Sequence, residues 1–396
     1  MQKQTFLLFF IFNLAFLLSC KENHKRVYFN HPIPDFKEIL KTRYAKYDNN
    51  THIINHLNEF AYYKQAIIQT KKENWNDFTN VYLKNIEIPD SLRTISAEIY
   101  IDKILKANDI VLLNETHDLP QHRVLAHSFL EKIKDAGYKY IAVEALNNNP
   151  EKTAFTEGLI NYNSAIYTKE PYFVNFLNQA KKMGFNLIDY EPWEYDHKIK
   201  GNRDIMMAKN IKRKCDLSKG KLFIYCGWAH LENKKYWLRY YLNKEFPQRK
   251  IASINQTWLN AEHPNDYQDK IRKMIGKINY PAFLLRGNKP YTLDKIYDFE
   301  IIHPVYDSEL SNIPVIFNKL YTVKKIKNPL RKKSEKILGF GERFDNKFNE
   351  VVPSVIVHNS KTDSLKITIP NQGRFKYFLN DSTSLSDNSD IRTQSP

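Results

Sequence analysis

Four short stretches of this chain place histidines or carboxylates directly after apolar runs. Ile110–Leu113 leads into Asn114-Glu115-Thr116-His117-Asp118, and Tyr140–Val143 ends at Glu144. A third run ends at Asp189-Tyr190-Glu191, and a fourth gives Gly227-Trp228-Ala229-His230. Imidazole and carboxylate together support two kinds of chemistry. His117, Glu144 and His230 can ligate a divalent metal such as Zn, Mn or Fe and leave positions open for water. Alternatively, a histidine held by one glutamate activates water with no metal, Glu115 acting as general base or supporting group. Glu191 and Arg203 complete the candidate catalytic set, with Arg203 placed to stabilise developing negative charge. Singly, these residues have plainer explanations: Glu115 with His117, or His230 after Gly227, suits a helix cap, and Glu191 suits a surface loop. Glu144 needs a partner, because an unpaired carboxylate after Ile141-Ala142-Val143 is costly to bury.

Bringing the four stretches together requires a particular scaffold. Between residues 109 and 256 the apolar runs Ile110–Leu113, Tyr140–Val143, Asn186–Tyr190, Leu222–Cys226 and Ile251–Ile254 alternate with amphipathic stretches. Those stretches are Gln121–Asp135, Tyr172–Met183, Arg203–Lys214 and Glu232–Leu242. The alternation predicts βαβ units, hence an α/β fold with a mostly parallel sheet flanked by helices. Gly137, Gly184 and Gly220 each fall between a helical stretch and the next strand, where helices commonly stop. Ligands of such sheets bind beyond the carboxyl ends of the strands, where the four motifs fall; the fifth run delivers no His or Glu. An N-terminal helical segment is expected over residues 35–96, the core over 97–290, and a C-terminal β-rich appendage over 291–380. Ala282–Leu285, Glu300–His303, Val315–Phe317, Ser354–Val357 and Leu365–Ile369 read as covering or appended strands. The polar tail, 381–396, is expected to be disordered.

The chain begins with Lys3, an uncharged run from Thr5 to Leu18, and Leu17-Leu18-Ser19-Cys20. This predicts a signal peptide over residues 1–19 and lipidation of Cys20, followed by a tether over 20–34. The expected partner is therefore a membrane, through the lipid, and the expected location is the outer membrane, on its periplasmic side or at the cell surface. No later run approaches the length needed to span a bilayer. With 60 Lys and Arg against 44 Asp and Glu, the net charge of +16 suits an anionic surface or nucleic acid. Export and the lack of zinc-finger, RNP or P-loop patterns argue against nucleic acid. The basic stretch Thr322 to Lys336 reads as a solvated loop. Cys215 and Cys226 are too few for a disulfide scaffold, and Cys226 reads as a buried thiol.

The stretches VLLNETHDLPQHR, YIAVEAL and FIYCGWAHLE resemble the erythromycin esterase and ChaN-like families of the Tiki–TraB superfamily. Those families show Gly-Glu-x-His after a first strand, a strand ending in Glu, and a later Gly-x-x-His, which match Glu115, His117, Glu144 and His230. Tyr167-Thr168-Lys169-Glu170-Pro171, Tyr190-Glu191 and Arg203 resemble the intermediate segments of exported ChaN-like proteins. Asn114 stands where the family usually has Gly; Asn tolerates a left-handed backbone, which would preserve the turn. The resemblance spans roughly residues 97–256 and implies a metal-dependent peptidase, a macrolide esterase or a haem-binding lipoprotein. A hydrolase would act on a small-molecule or peptide substrate. A haem- or metal-binding protein would use His or Tyr as axial ligand, with Tyr162, Tyr167, Tyr190 and Trp228 lining an apolar cleft. An inert surface scaffold is the third reading.

Overall fold

The computed structural model describes residues 39, 50–70, 86–147, 149, 151–165, 167–194, 196, 198–260, 266–307, 310–327, 336–340, 351–358, 362–371, 375–380 and 389–391. The expected signal peptide, Cys20 and the tether lie outside the described residues. Two faces of one sheet organise the rest. Its strands are β1 (Arg93–Ser96), β2 (Ile110–Glu115), β3 (Tyr138–Val143), β4 (Asn186–Asp189), β5 (Lys221–Gly227), β6 (Ile251–Asn255), β7 (Ala282–Arg286), β8 (Lys289–Pro290) and β9 (Phe299–Ile302). The order is β1-β7-β9-β6-β2-β5-β3-β4, with β8 beside β7. Every pairing from β9 to β4 is parallel, whereas β7 runs antiparallel to β1, β8 and β9.

The alternation of side chains along a strand explains why both faces are covered. On β2, Val111 and Leu113 join one buried cluster while Ile110 and Leu112 join the other. Each such side chain contributes about 1.5–3 kcal/mol on burial, and a parallel sheet needs helices on both sides to achieve it. The first cluster takes in α3 (Ala97–Ala107), α4 (Gln121–Ser128), α5 (Leu130–Asp135) and α6 (Pro171–Lys182). The second takes in α7 (Asn202–Lys214), α8 (Leu238–Glu245) and α9 (Asp266–Ile275). Ahead of the core, a helical hairpin, αA (Asn50–Glu59) and αB (Tyr63–Thr70), closes a small cluster of Ile53, Ile54, Leu57, Tyr62 and Ala66 with Ile39.

The mostly parallel α/β architecture is the one the spacing predicts. Several local expectations are corrected. The stretch Gln121–Asp135 forms two helices, because at Phe129 the backbone N–H turns back to Ala126 at 3.2 Å. Glu232–Leu242 becomes helical only from Leu238, after a tight turn at Trp228–Leu231 and a left-handed Tyr236. Val315 and Ile316 close a short helix, Ile313–Ile316, opened by Pro314, rather than a strand. Ala282–Leu285 and Phe299–Ile302 belong to the central sheet as β7 and β9, since their side chains fill both of its faces. The appendage that follows pairs Tyr321–Lys327 with Ser364–Pro370, so the basic stretch begins as a strand. It also holds a second small sheet from Lys336–Phe340, Val355–His358, Phe375–Asn380 and Ser389–Ile391. Cys215 and Cys226 are buried free thiols.

Candidate active site

Strands β2, β5, β3 and β4 are neighbours, and their registers level the motif ends. Glu115 pairs with Gly227, and Val143 pairs with both Tyr225 and Asp189. The chain returns between β2 and β3 to lay down β5, so residues distant in sequence share one rim. Gly227 is needed here for close approach: a Cβ there would lie 3.1 Å from Glu144 Oε2 and 3.5 Å from His117 Nε2. The left-handed backbone of Ala145, φ 46°, turns the chain immediately after Glu144. Such a conformation costs an L-residue roughly 1–2 kcal/mol.

One half of the site is built on Glu115. Its Oε1 lies 2.7 Å from His117 Nδ1, and its Oε2 accepts from Arg123 Nε at 2.9 Å and Tyr225 OH at 2.9 Å. Arg123, on α4, also donates to Glu170 Oε2 at 3.2 Å and to the His117 carbonyl at 2.7 Å. Burial alone would raise the Glu115 carboxyl, but Arg123 and His117 outweigh it and hold it below its usual range. Burial disfavours charge on His117, yet Glu115 and then Glu144 raise its pKa above the ordinary 6.5. A carboxylate at Nδ1 fixes the tautomer, so Nε2 is left as the basic nitrogen, with no group of the described residues bonded to it. The ring stacks on Tyr167, centroids 4.1 Å apart and planes at 14°, and its side chain is 26% exposed.

The other half surrounds His230, whose two ring nitrogens both face carboxylates. Its Nδ1 lies 2.6 Å from Asp204 Oδ1, and its Nε2 lies 3.3 Å from Glu144 Oε1. Burial opposes charge on this ring, but Glu144 and Asp204 prevail and push its pKa up to about 10. It is therefore an imidazolium at neutral pH, both protons directed at carboxylates. Glu144 accepts from Gly227 N at 2.6 Å and from Arg203 Nη2 at 2.7 Å. Despite burial, His230, His117 and Arg203 hold it well below the usual carboxylate range. Arg203 further bonds Glu191, Nε to Oε1 at 2.6 Å and Nη2 to Oε2 at 2.9 Å. Burial raises the Glu191 carboxyl against the pull of Arg203. Arg203 is 31% exposed, whereas Arg123 is fully buried.

All six proposed catalytic residues are thus brought to one rim, though not in equal roles. The donor set does not fit a divalent ion: both nitrogens of His230 and both oxygens of Glu144 are already bonded, and only His117 Nε2 is open. Among the described residues no three His, Cys, Asp or Glu side chains are arranged to hold a metal. Tyr167 sits at the site, and Trp228 lies half-buried in the turn leading to His230. Tyr190 is wholly buried, so it lines no cleft. Asn114 is not left-handed. Its side chain instead bonds Asn255 Oδ1 at 2.6 Å and accepts from Gln256 N at 2.8 Å, tying β2 to β6. Four participants were not anticipated: Arg123, Glu170, Asp204 and Tyr225. Arg123 lies within the quoted VLLNETHDLPQHR stretch, and Asp204 follows Arg203 in the first turn of α7, which are the signals that point to them.

No family model matches the chain, and no curated protein matches it significantly. Solved structures similar to it include ChaN of Campylobacter jejuni, described for cofacial haem binding, at 15% identity and TM-score 0.36 over 53% of this chain and 93% of that one. Another is the type III effector HopBA1, at 14% identity and TM-score 0.31 over 44% of this chain and 88% of that one. RRSP, a MARTX toxin effector domain from Vibrio vulnificus, is similar at 13% identity and TM-score 0.32 over 41% of this chain and 36% of that one. Likenesses of this extent transfer neither ligand nor activity.

Proposed function

We propose that this chain is a metal-independent hydrolase of the erythromycin esterase, ChaN and Tiki–TraB type, cleaving an ester or peptide bond with His117 as general base. One observation carries the reading: His117 Nε2 is open at the site while its Nδ1 is locked on a buried, charged Glu115. Nε2 takes the proton of an attacking water as the new bond to the acyl carbon forms. Arg203, the exposed guanidinium of the site, stabilises the oxyanion. The protonated His117 then passes its proton to the leaving oxygen or nitrogen. Glu144 and Glu191 fix Arg203, and the charged His230 adds to the field in which His117 works. Hydrolysis of 4-nitrophenyl butyrate and of a fluorogenic casein digest by the full chain tests this, with and without EDTA. His117→Ala is expected to abolish an EDTA-resistant rate; equal rates from both proteins would end the reading.

A second reading rests on the same nitrogen. A partly exposed imidazole whose other nitrogen is bonded to a carboxylate would also suit binding of haem iron, with Tyr167 stacked beside it. Haem supplies iron for electron transfer or uptake, and His117 would hold it. A Soret shift on haemin titration that vanishes in His117→Ala supports this reading, and its absence removes it.

We also propose that Cys20 carries a lipid anchoring the chain at the outer membrane. Cys20→Ser is expected to release the protein from the membrane fraction, and retention there contradicts the anchor.

A further inference from the structure

The helical hairpin αA–αB precedes the core and lies far in sequence from the catalytic motifs, yet it docks on the two loops that frame His117. Asn58 Nδ2 donates to the Asp118 carbonyl at 3.0 Å, on the residue next to His117. Lys169 Nζ lies 3.4 Å from Glu59 Oε1, in the loop that carries Tyr167. The Tyr62 ring stacks on His358 of the C-terminal appendage, centroids 4.0 Å apart, and His358 Nε2 donates to the Phe60 carbonyl at 2.9 Å.

One contact of the hairpin enters the buried polar chain itself. Tyr63 OH donates to Glu170 Oε1 at 2.7 Å. Glu170 caps α6, accepting from the N–H groups of Tyr172 and Phe173 at 3.0 and 2.9 Å. Its Oε2 also takes Arg123 Nη1, and the opposite edge of that guanidinium grips Glu115, which holds His117 Nδ1. Glu170 is fully buried, so its carboxylate depends on Tyr63, Arg123 and the two backbone donors. We propose that the hairpin completes the active site, with Tyr63 a positioning residue acting on His117 through Glu170, Arg123 and Glu115. This deepens the hydrolase reading, since it concerns the same nitrogen that the reading makes the base.

The physical basis is geometric. Arg123 satisfies two buried carboxylates and the His117 carbonyl with one planar fork, so a change in Glu170 tilts the edge presented to Glu115. The groups facing His117 are Glu115, Glu144, Arg123, Asp118 and the Tyr167 ring. Those facing Glu170 are Tyr63, Arg123 and Tyr172, with Tyr225 and Tyr321 nearby. Loss of the Tyr63 hydroxyl weakens the hold on Nδ1–H of His117, releasing the ring toward the tautomer protonated at Nε2. That tautomer has no basic nitrogen at the open edge.

The test is the ¹⁵N spectrum of the His117 imidazole in the full chain at a fixed pH above its titration, assigned by its disappearance in His117→Ala. It requires no substrate, so a failed hydrolysis assay leaves it intact and a failed tautomer shift leaves the hydrolase reading intact. Wild type is expected to show the Nδ1–H tautomer. Tyr63→Phe is expected to lose part of it to the Nε2–H form, and Glu170→Gln at least as much. Tyr63→Phe in the Glu170→Gln background should add no further loss. Ile68→Ala, on the exposed side of αB, should change nothing. An unchanged spectrum in folded Tyr63→Phe, or an undiminished effect of Tyr63→Phe in the Glu170→Gln background, overturns the proposal. Should Tyr63→Phe fail to fold by circular dichroism, Tyr63→Leu replaces it under the same two requirements.

Discussion

The two histidines of the site begin from the same surroundings and end in opposite states. Each has a carboxylate at Nδ1, Glu115 for His117 and Asp204 for His230, and each lies near an arginine bonded to two glutamates. The difference is what meets the second nitrogen. His230 Nε2 faces Glu144, so the ring is charged and fully committed; His117 Nε2 faces an opening. Their arginines differ in the same sense: Arg123 is wholly enclosed, and Arg203 is partly in water. A pair of like motifs therefore divides the work, one half holding charge and the other keeping a nitrogen available. A His and a Glu at a strand end do not by themselves say which half they will join.

The sharpest way to break this comparison is to remove each imidazole in turn. His117→Ala should lower hydrolysis of the ester probe by roughly 10²–10⁴-fold, the usual contribution of a general base, with little change in the unfolding midpoint. His230→Ala should lower the midpoint, because it strands Asp204 and Glu144 in a buried setting. Similar kinetic and stability losses in both variants would erase the distinction.

Next in size is the contrast between the arginines. Arg123→Met leaves Glu115 and Glu170 buried without their cation, and urea unfolding should report a loss of about 3–5 kcal/mol. Arg203→Met should cost less, about 1 kcal/mol, because the Arg203 side chain itself reaches solvent. Equal losses would mean that enclosure is not what separates the halves.

A smaller effect reads the charge on His230. Its pKa is about 10 in the folded chain against an ordinary 6.5. The stabilisation from its charged form is therefore complete below about pH 6.5 and lost as pH rises toward 10. Thermal melts of His230→Gln should show a flatter decline between these limits than wild type. His117, whose own side chain is 26% exposed against 7% for His230, should contribute less to that slope.

Glu300 serves as a control from outside the rim. Buried on β9, it is bonded by Asn255 Nδ2 at 2.8 Å, and burial pushes its pKa up to about 8. An acid raised in this way favours folding most below its unfolded value of 4.5, and that advantage fades as pH climbs through 8. Glu300→Gln should remove this part of the pH dependence and leave probe hydrolysis unchanged. A changed rate would connect the β6–β9 network to the site.

The strand periodicity and the residues at strand ends made the α/β core and its rim legible from sequence. Glu115, His117, Glu144, Glu191 and His230 each follow an apolar run, and a parallel sheet brings such ends together. The sequence was silent on partners. Asp204 and Arg123 sit on helices, where their facing depends on how α7 and α4 pack. Tyr225 reads as one more apolar residue of β5 until its hydroxyl is seen to meet Glu115. The metal expectation finds no support among the described residues for the same reason, since donor count is visible in a sequence but donor commitment is not. β9 lies beyond the expected core limit at residue 290, because a short strand so far from the alternating region reads much like an appended one.

The order of the strands has a consequence for how the molecule comes into being. β2 pairs with β5, Ile110 against Leu222, and Tyr138 and Tyr140 of β3 also lie along β5. Until β5 emerges during synthesis, Glu115 and Glu144 belong to strands that have no common neighbour. Contacts between such distant segments form late and slowly. His117 thus acquires its surroundings only when most of the core has been made, and a chain halted before β5 has no assembled site with which to act.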